Sequence, residues 1–338
     1  MRRLRIVFMG TPEFSVPSLE ALLHAGFDIA AVVTQPEKPK GRGQAVAKTP
    51  VKEFALNLGL PVLEPSRVKS NAEFLIELNS IKPDVMAVVA YGKILPEEVL
   101  RVPAMGCVNV HASILPFYRG ASPINRAIMN GDKSTGVSTM LMDRGMDTGP
   151  ALLTEETAIG EDETAGELSV RLSKMGAELL VKTLRLLSEG AITPLAQDSS
   201  RATFALPLKK EDALINWSLS ATEIKNKVRG LCPKPGACTY LKGKLLKIYM
   251  GKVTPFSKGA GLPLREAIAT GSGGIKVLPD NSHGTSVGTI IKADKEGIAI
   301  KCGKDIFLVT ELQLEGKKRM SAEAFLKGYK VKNEVLGR

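Results

Sequence analysis

The 338-residue chain has 44% hydrophobic and 24% charged residues, the proportions of a soluble globular protein with length for about two domains. No run approaches the ~18 consecutive apolar residues of a membrane span. The four cysteines, at 107, 232, 238 and 302, lack C-x-x-C spacing and a nearby histidine, which argues against a metal site and for free thiols in a reducing cytoplasm. Net charge is +11, unevenly spread: residues 1–206 carry 22 Lys+Arg against 23 Asp+Glu, and residues 207–338 carry 24 against 12, so the last part alone holds +12. A basic block beside a neutral one suits a polyanion, nucleic acid first, and equally a solvated basic surface.

MRRLRIVFMG passes from arginines into an apolar run without a cleavage-site pattern, so no signal or transit peptide is expected. RIVFMG (5–10) reads as a strand. Residues 15–27 place Leu19, Leu22 and Leu23 at helical spacing before a stop at Gly26. IAAVVT (29–34) is a second strand, 48–59 a helix with Pro near its start and Gly after its end, and 74–81 another helix. VMAVVAYG (85–92) and VNVH (108–111) read as buried strands, GVSTMLMD (136–143) as an alternating one. Residues 163–190 form a long amphipathic helix expected to close the first domain. Buried runs alternating with helices imply an α/β fold on a mainly parallel, doubly wound sheet, which binds ligands beyond the carboxyl ends of its strands.

The polar stretch 191–208 reads as a linker. Beyond it comes a helix over 218–230, then the strand signals ACTYL, KLLKIYMGKV, VGTIIKA, GIAIKCG and DIFLVTELQL. Short strands with Gly turns predict a small barrel or sandwich, and a barrel of the OB type suits a nucleic-acid partner. The Gly-rich stretch 256–285 carries no assignable pattern.

The chemistry gathers where VNVH ends. Residues i and i+2 of a strand point to one face, so Asn109 and His111 project together. An Asn amide brings two N–H donors, and a histidine can donate, accept or carry charge. The pair suits an oxygen that gains negative charge, as in acyl transfer, and His111 suits proton transfer near neutral pH. MDRGMDTGP (142–150) offers Asp143 and Asp147, and Asp147, in a D-T-G turn, is the candidate to hold the ring. Each residue also has a plainer reading: a satisfied strand-end histidine, an Asn capping a turn, an ordinary Asp-Gly turn. G-x-S-x-G and H-E-x-x-H are absent. GTPEF lacks the dinucleotide pattern, which disfavours a nicotinamide dehydrogenase.

N-V-H-A-S-I-L-P-F-Y-R-G, then A-S-P-I-N-R-A-I, with M-D-R-G-M-D-T-G downstream, resembles the folate-dependent formyltransferases. GTPEFSVPSLEAL, TQPEKPKGRG, AYGKILP, INWSLSATEIKNKVRGLCPKPGA and TELQLEGKKRMSAEAFLKG carry the resemblance over most of the chain, toward the branch that formylates methionine on initiator tRNA. It implies a Rossmann-like formyltransferase domain over 1–190, a linker over 191–208 and a basic OB-like tRNA-binding barrel over 209–338. It also implies 10-formyltetrahydrofolate as co-substrate, methionyl initiator tRNA as partner, a role in translation initiation, no metal, no membrane and a monomer.

By this resemblance Asn109, His111 and Asp147 are the catalytic trio: Asn109 and charged His111 stabilise the tetrahedral oxyanion, and Asp147 orients His111. Ser113, Ile114, Leu115 and Pro116 match the loop lining the formyl-folate site. Ile94 and Leu95, with the backbone of Asp143 to Met146, bracket the pterin. Ile114 stands where Leu is usual, Ala112 where Gly or Pro is common, and 256–285 departs from the family pattern. Arg42 matches the basic residue of a loop that enters the acceptor stem, and Lys209, Lys210, Lys317, Lys318 and Arg319 are the expected phosphate contacts. Two alternatives stand beside this one. A formyltransferase for a small amine needs neither the Arg42 loop nor a basic second part, and a non-catalytic RNA-binding protein does not need the intact trio.

Overall fold

The computed structural model describes residues 3–40, 45–255 and 286–337. Arg42 and the stretch 256–285 lie outside them. Contacts divide the chain into two compact units. Unit 1 comprises 1–124, 133–160 and 167–207; unit 2 comprises 125–132, 161–166 and 208–338. Among the described residues no helix is long and apolar enough to cross a membrane.

Unit 1 is built on β1 (Arg5–Gly10), β2 (Asp28–Val33), β5 (Val62–Leu63), β6 (Val85–Val89), β7 (Cys107–His111), β8 (Ser134–Leu141) and β9 (Ala151–Ala158). These form one sheet in the order β5-β2-β1-β6-β7-β8-β9. Pairing is parallel from β5 to β7 and antiparallel through β8 and β9, so the mainly parallel expectation holds with two antiparallel strands at one side. β3 (Lys38–Lys40) and β4 (Ala45–Ala47) pair separately, antiparallel to each other.

Both faces of the sheet are covered. Ile6, Phe8, Ala87, Val89, Val108 and Val110 pack with Leu19, Val51, Leu180 and Leu184, from α1 (Val16–His24), α2 (Pro50–Asn57) and α6 (Ala165–Ser188). Val7, Met9, Met86, Val88 and Cys107 pack with Phe74, Leu78 and Val99, from α3 (Ala72–Ile81) and α4 (Glu97–Leu100). Burial of both parities is why these strands read as unbroken apolar runs. Helix starts follow local chemistry: the Thr49 hydroxyl accepts from Lys52 N–H with Pro50 at the first turn, and Asn71 accepts from Phe74 N–H.

The polar stretch read as a linker belongs to unit 1 as far as Pro207. Ala151 and Leu195 exchange two backbone hydrogen bonds of 2.8 Å, Arg119 N–H donates to Thr203 O (2.9 Å), and Ala205 N–H donates to Arg119 O (2.8 Å). Composition gives no sign of this, because the segment satisfies its backbone through scattered bridges rather than a regular ladder.

Unit 2 contains α5 residues from Asn125 onward (α5, Pro123–Asn130), then α7 (Ala221–Gly230) and an antiparallel sheet. The sheet runs through β10 (Ala237–Leu241), β11 (Lys244–Thr254), β12 (Ile290–Asp294), β13 (Gly297–Lys301) and β14 (Ile306–Leu314), ordered β10-β11-β14-β13-β12, with β15 (Met320–Ser321) added to β14. α8 (Ala322–Leu326) follows. The register of β11 slips twice, at Ile248/Met250 and Met250/Gly251, and such bulges bend a strand. Residues 333–337 span the two edges: Ile290 N–H donates to Glu334 O (2.8 Å) and Gly337 N–H to Tyr240 O (2.9 Å). This closes the sheet into the expected barrel around Trp217, Ile248, Ile300, Phe307 and Leu312.

Candidate active site

β7 changes character along one face. Cys107 is core, and two and four residues later the same face carries Asn109 and His111, 9% and 6% exposed. Asn109 lies opposite Met140 of β8, and His111 opposite Ser138. His111 Nε2 is 2.9 Å from Tyr118 O. A carbonyl only accepts, so Nε2 carries a hydrogen. Nδ1 is 3.6 Å from Asp147 Oδ2, too far for a good hydrogen bond and within ion-pair range, so the attraction depends on the ring holding its second proton.

Asp147 takes a left-handed backbone conformation, φ 55°, which Asp tolerates better than most residues. Its Oδ2 accepts from Gly120 N–H at 2.7 Å. Gly120 has φ +120°, and a Cβ there would lie 2.7 Å from Ala205 O, so the donor beside Asp147 must be a glycine. The Asn109 amide differs from its neighbours: among the described residues it makes no side-chain hydrogen bond, and both N–H donors are available.

Directly after β7, the loop 113–116 is tied from beneath. Ser113 Oγ donates to Phe117 O (2.5 Å). Ser138 Oγ of β8 donates to Ser113 O (2.8 Å) and accepts from Leu115 N–H (3.1 Å). The Leu115–Pro116 bond is cis. Ser113 and Leu115 are buried, while Ile114 and Pro116 are half-exposed. The 94–95 pair splits: Leu95 is core, and Ile94 is 77% exposed. Asp143 Oδ1 accepts from Gly145 N–H (3.0 Å) and Thr148 Oγ1 (2.6 Å), which orders the turn holding exposed Met146. Arg144 of this turn pairs with Glu97, two residues after Leu95. The segments expected to flank a flat heterocycle are thus joined to each other, and apolar walls with few polar groups suit such a ligand.

The family profile described as formyl transferase matches residues 4–184, and that described as formyl transferase, C-terminal domain, matches residues 207–330. The chain belongs to the formyl transferase family. It is 45% identical over 335 residues to a methionyl-tRNA formyltransferase of Acetivibrio thermocellus, covering 99% of this chain and 100% of that one. A methionyl-tRNA formyltransferase of Citrifermentans bemidjiense is 46% identical over 331 residues, covering 98% and 95%. Two solved structures share the fold. The N-formyltransferase of Helicobacter canadensis, in complex with folinic acid and dTDP-3-aminofucose, has a TM-score of 0.60 at 18% identity, covering 91% of this chain and 99% of that one. HypX of Aquifex aeolicus with tetrahydrofolic acid has a TM-score of 0.61 at 14% identity, and this formyl transferase spans about half its length, 51%.

The basic residues of this formyl transferase's second unit divide by environment. Lys209, Lys210, Lys317 and Lys318 are exposed, the last two at the turn between β14 and β15. Arg319 has another part. Its Nε and Nη2 each donate to Glu311 at 2.6 Å, and its guanidinium lies 4.4 Å over the Tyr249 ring. Its fork is already filled by a carboxylate, so it braces the barrel. Among the described residues no group of three or more His, Cys, Asp or Glu is placed to hold a metal. Sequence reasoning missed Tyr118 O, Gly120 N–H, Ser138 and Gln197, whose amide nitrogen donates to Asp147 O at 2.9 Å. Ser138 lies opposite His111 only through the register of β8 on β7, which alternation within β8 does not set, and Gln197 lies in a stretch without pattern.

Proposed function

We propose that the chain transfers the formyl group of 10-formyltetrahydrofolate to the α-amino group of methionyl initiator tRNA, in the cytoplasm and as a monomer, for initiation of translation. The amine lone pair attacks the formyl carbon, and the carbonyl π pair moves onto oxygen. Collapse of the tetrahedral oxyanion breaks the bond to N10 of the folate, and the proton lost by the attacking amine ends on that nitrogen. The free N–H donors of Asn109 stabilise the oxyanion. His111 supplies positive charge beside it, and a direct hydrogen bond from Nε2 requires exchanging Tyr118 O for the reacting oxygen. Asp147 orients the charged ring. The 113–116 loop, Ile94 and the 143–146 turn hold the folate, while Arg42, Lys209, Lys210, Lys317 and Lys318 hold the RNA backbone.

The observation that carries this reading is the Asn109 amide: 9% exposed, without a protein partner among the described residues, and on the same strand face as an imidazole 3.6 Å from a carboxylate. The relatives named above and the +12 of residues 207–338 support a large polyanionic acceptor over a small amine. The test mixes the protein with 10-formyltetrahydrofolate and either methionine-charged initiator tRNA or free small amines, and follows the formylated product of each by mass spectrometry. Formylation of small amines alone sinks the acceptor assignment. RNA binding with no formyl transfer sinks the catalytic one. His111→Ala should lower turnover by about 10²–10⁴-fold with RNA affinity within about twofold, since the residues proposed to hold RNA do so through charge that this substitution leaves in place. Light scattering should give the monomer mass of 36.2 kDa.

A further inference from the structure

We infer that Arg119 and Gln197 form a positioning brace for Asp147, acting through the fixed polarity of the Gln197 amide; the inference rests on the formyl-transfer reading above. Arg119 is 3% exposed. Its Nε and Nη2, at 3.1 and 2.9 Å, both donate to Gln197 Oε1, and among the described residues no carboxylate lies within ion-pair range of it. A buried guanidinium on a neutral acceptor is costly to desolvate, so stability alone gives no reason for an arginine there.

What the arginine adds is direction. A guanidinium only donates, so the amide oxygen of Gln197 must face it. The amide nitrogen must then face the other way, and there it donates to Asp147 O (2.9 Å) and Gly149 O (2.6 Å). A flipped amide would set donors against the guanidinium and an oxygen against two carbonyls. The usual ambiguity between amide oxygen and nitrogen is therefore resolved by the partners on both sides. One of the clamped carbonyls belongs to Asp147 itself, the residue at φ 55°, a conformation that persists only where its surroundings over-determine it. The residues beside Arg119 complete the hold: Tyr118 O meets the His111 ring, and Gly120 N–H meets the Asp147 carboxylate. One three-residue turn thus fixes ring, carboxylate and amide together. A shift of ~1 Å in such a group can cost about 10²-fold in rate.

Gln197→Glu separates positioning from support. The new carboxylate still accepts from Arg119, now as an ion pair, but it has no donor for the two carbonyls. Positioning predicts a kcat lower by about 10²-fold, with KM for both substrates within about threefold. If Gln197 only satisfies Arg119, kcat stays at the wild-type value, and that result overturns the inference. Gln197→Ala, read by the same kcat and KM, replaces it should the Glu variant not fold. The ring 15N resonances of His111, one of three histidines, are recorded on the same proteins. They shift in the variant if the brace reaches the ring and stay put if it does not, whether or not the wild type moves a formyl group. Absent wild-type turnover counts against the activity, and unmoved resonances count against the brace.

Discussion

Ser138→Ala tests whether the loop after β7 is held from the sheet beneath it. Ser138 Oγ is fully buried, donates to Ser113 O at 2.8 Å and accepts from Leu115 N–H at 3.1 Å. Alanine fits the space and removes one atom. It leaves a buried carbonyl and a buried N–H unpaired, each at a cost of about 1–3 kcal/mol. Partial relaxation brings the sum to about 3 kcal/mol, a factor of about 10² in the equilibrium between held and open loop. Hydrogen exchange read on the peptide covering 112–118 measures it: protection at Leu115 should fall by about that factor while exchange in β1 and β6 stays unchanged. The KM for the folate should rise and the KM for RNA should not. Protection at Leu115 within a factor of about three of wild type would refute the argument, because it would mean the loop holds its shape without the hydroxyl.

Arg319→Ala should lower the stability of unit 2 by about 1–2 kcal/mol, through the lost Glu311 fork and Tyr249 stack, with little effect on RNA affinity. Lys317→Ala and Lys318→Ala should do the reverse, each reducing the slope of log affinity against log salt by about 0.7–0.9; denaturation curves and salt titrations read the two effects separately. Burial pushes the Cys107 thiol up to about 12 and the Cys302 thiol to about 11, so neither should react with a disulfide reagent at pH 8 in the native protein, while all four cysteines react in guanidinium. Ser220→Ala removes a capping box with Glu223 and should cost about 1 kcal/mol. The Ser220 hydroxyl and N–H hold the Glu223 carboxyl below its usual range. That contribution is present above about pH 4.3, the ordinary Glu value, and is lost as pH falls through the lowered one, so the gap between variant and wild type should narrow in acid but not close, because the Ser220 hydroxyl still accepts from Glu223 N–H.

Much of unit 1 was legible because its parallel strands are buried on both faces and α2 and α3 carry capping residues where they begin. The Asn109–His111 pair was legible for a related reason: a polar i, i+2 pair ending an apolar run has one geometric outcome. β9 escaped notice because it is mostly exposed, with Glu155 and Glu156 facing water, and so carries no hydrophobic signature. Lys317, Lys318 and Arg319 look alike as a basic run. Only the hairpin between β14 and β15 brings Glu311 within reach of Arg319, eight residues away. Gln197 could not be singled out, since its role depends on a guanidinium 78 positions earlier.

Unit 2 draws on three separated stretches of chain, and this limits how the protein can be taken apart or recombined. Asn125 Nδ2 donates to Gly230 O (2.7 Å), Arg126 pairs with Asp212 (2.9 Å), and Lys225 pairs with Asp162 (2.7 Å). A fragment beginning at Leu208 would keep Asp212, Lys225 and Gly230 and lose all three partners. A chimera with a relative, joined at the same point, would match each of these contacts with a residue chosen for another background. The workable exchange unit includes 125–132 and 161–166 with everything after 207, so inheritance in this enzyme runs across two insertions rather than at a single seam.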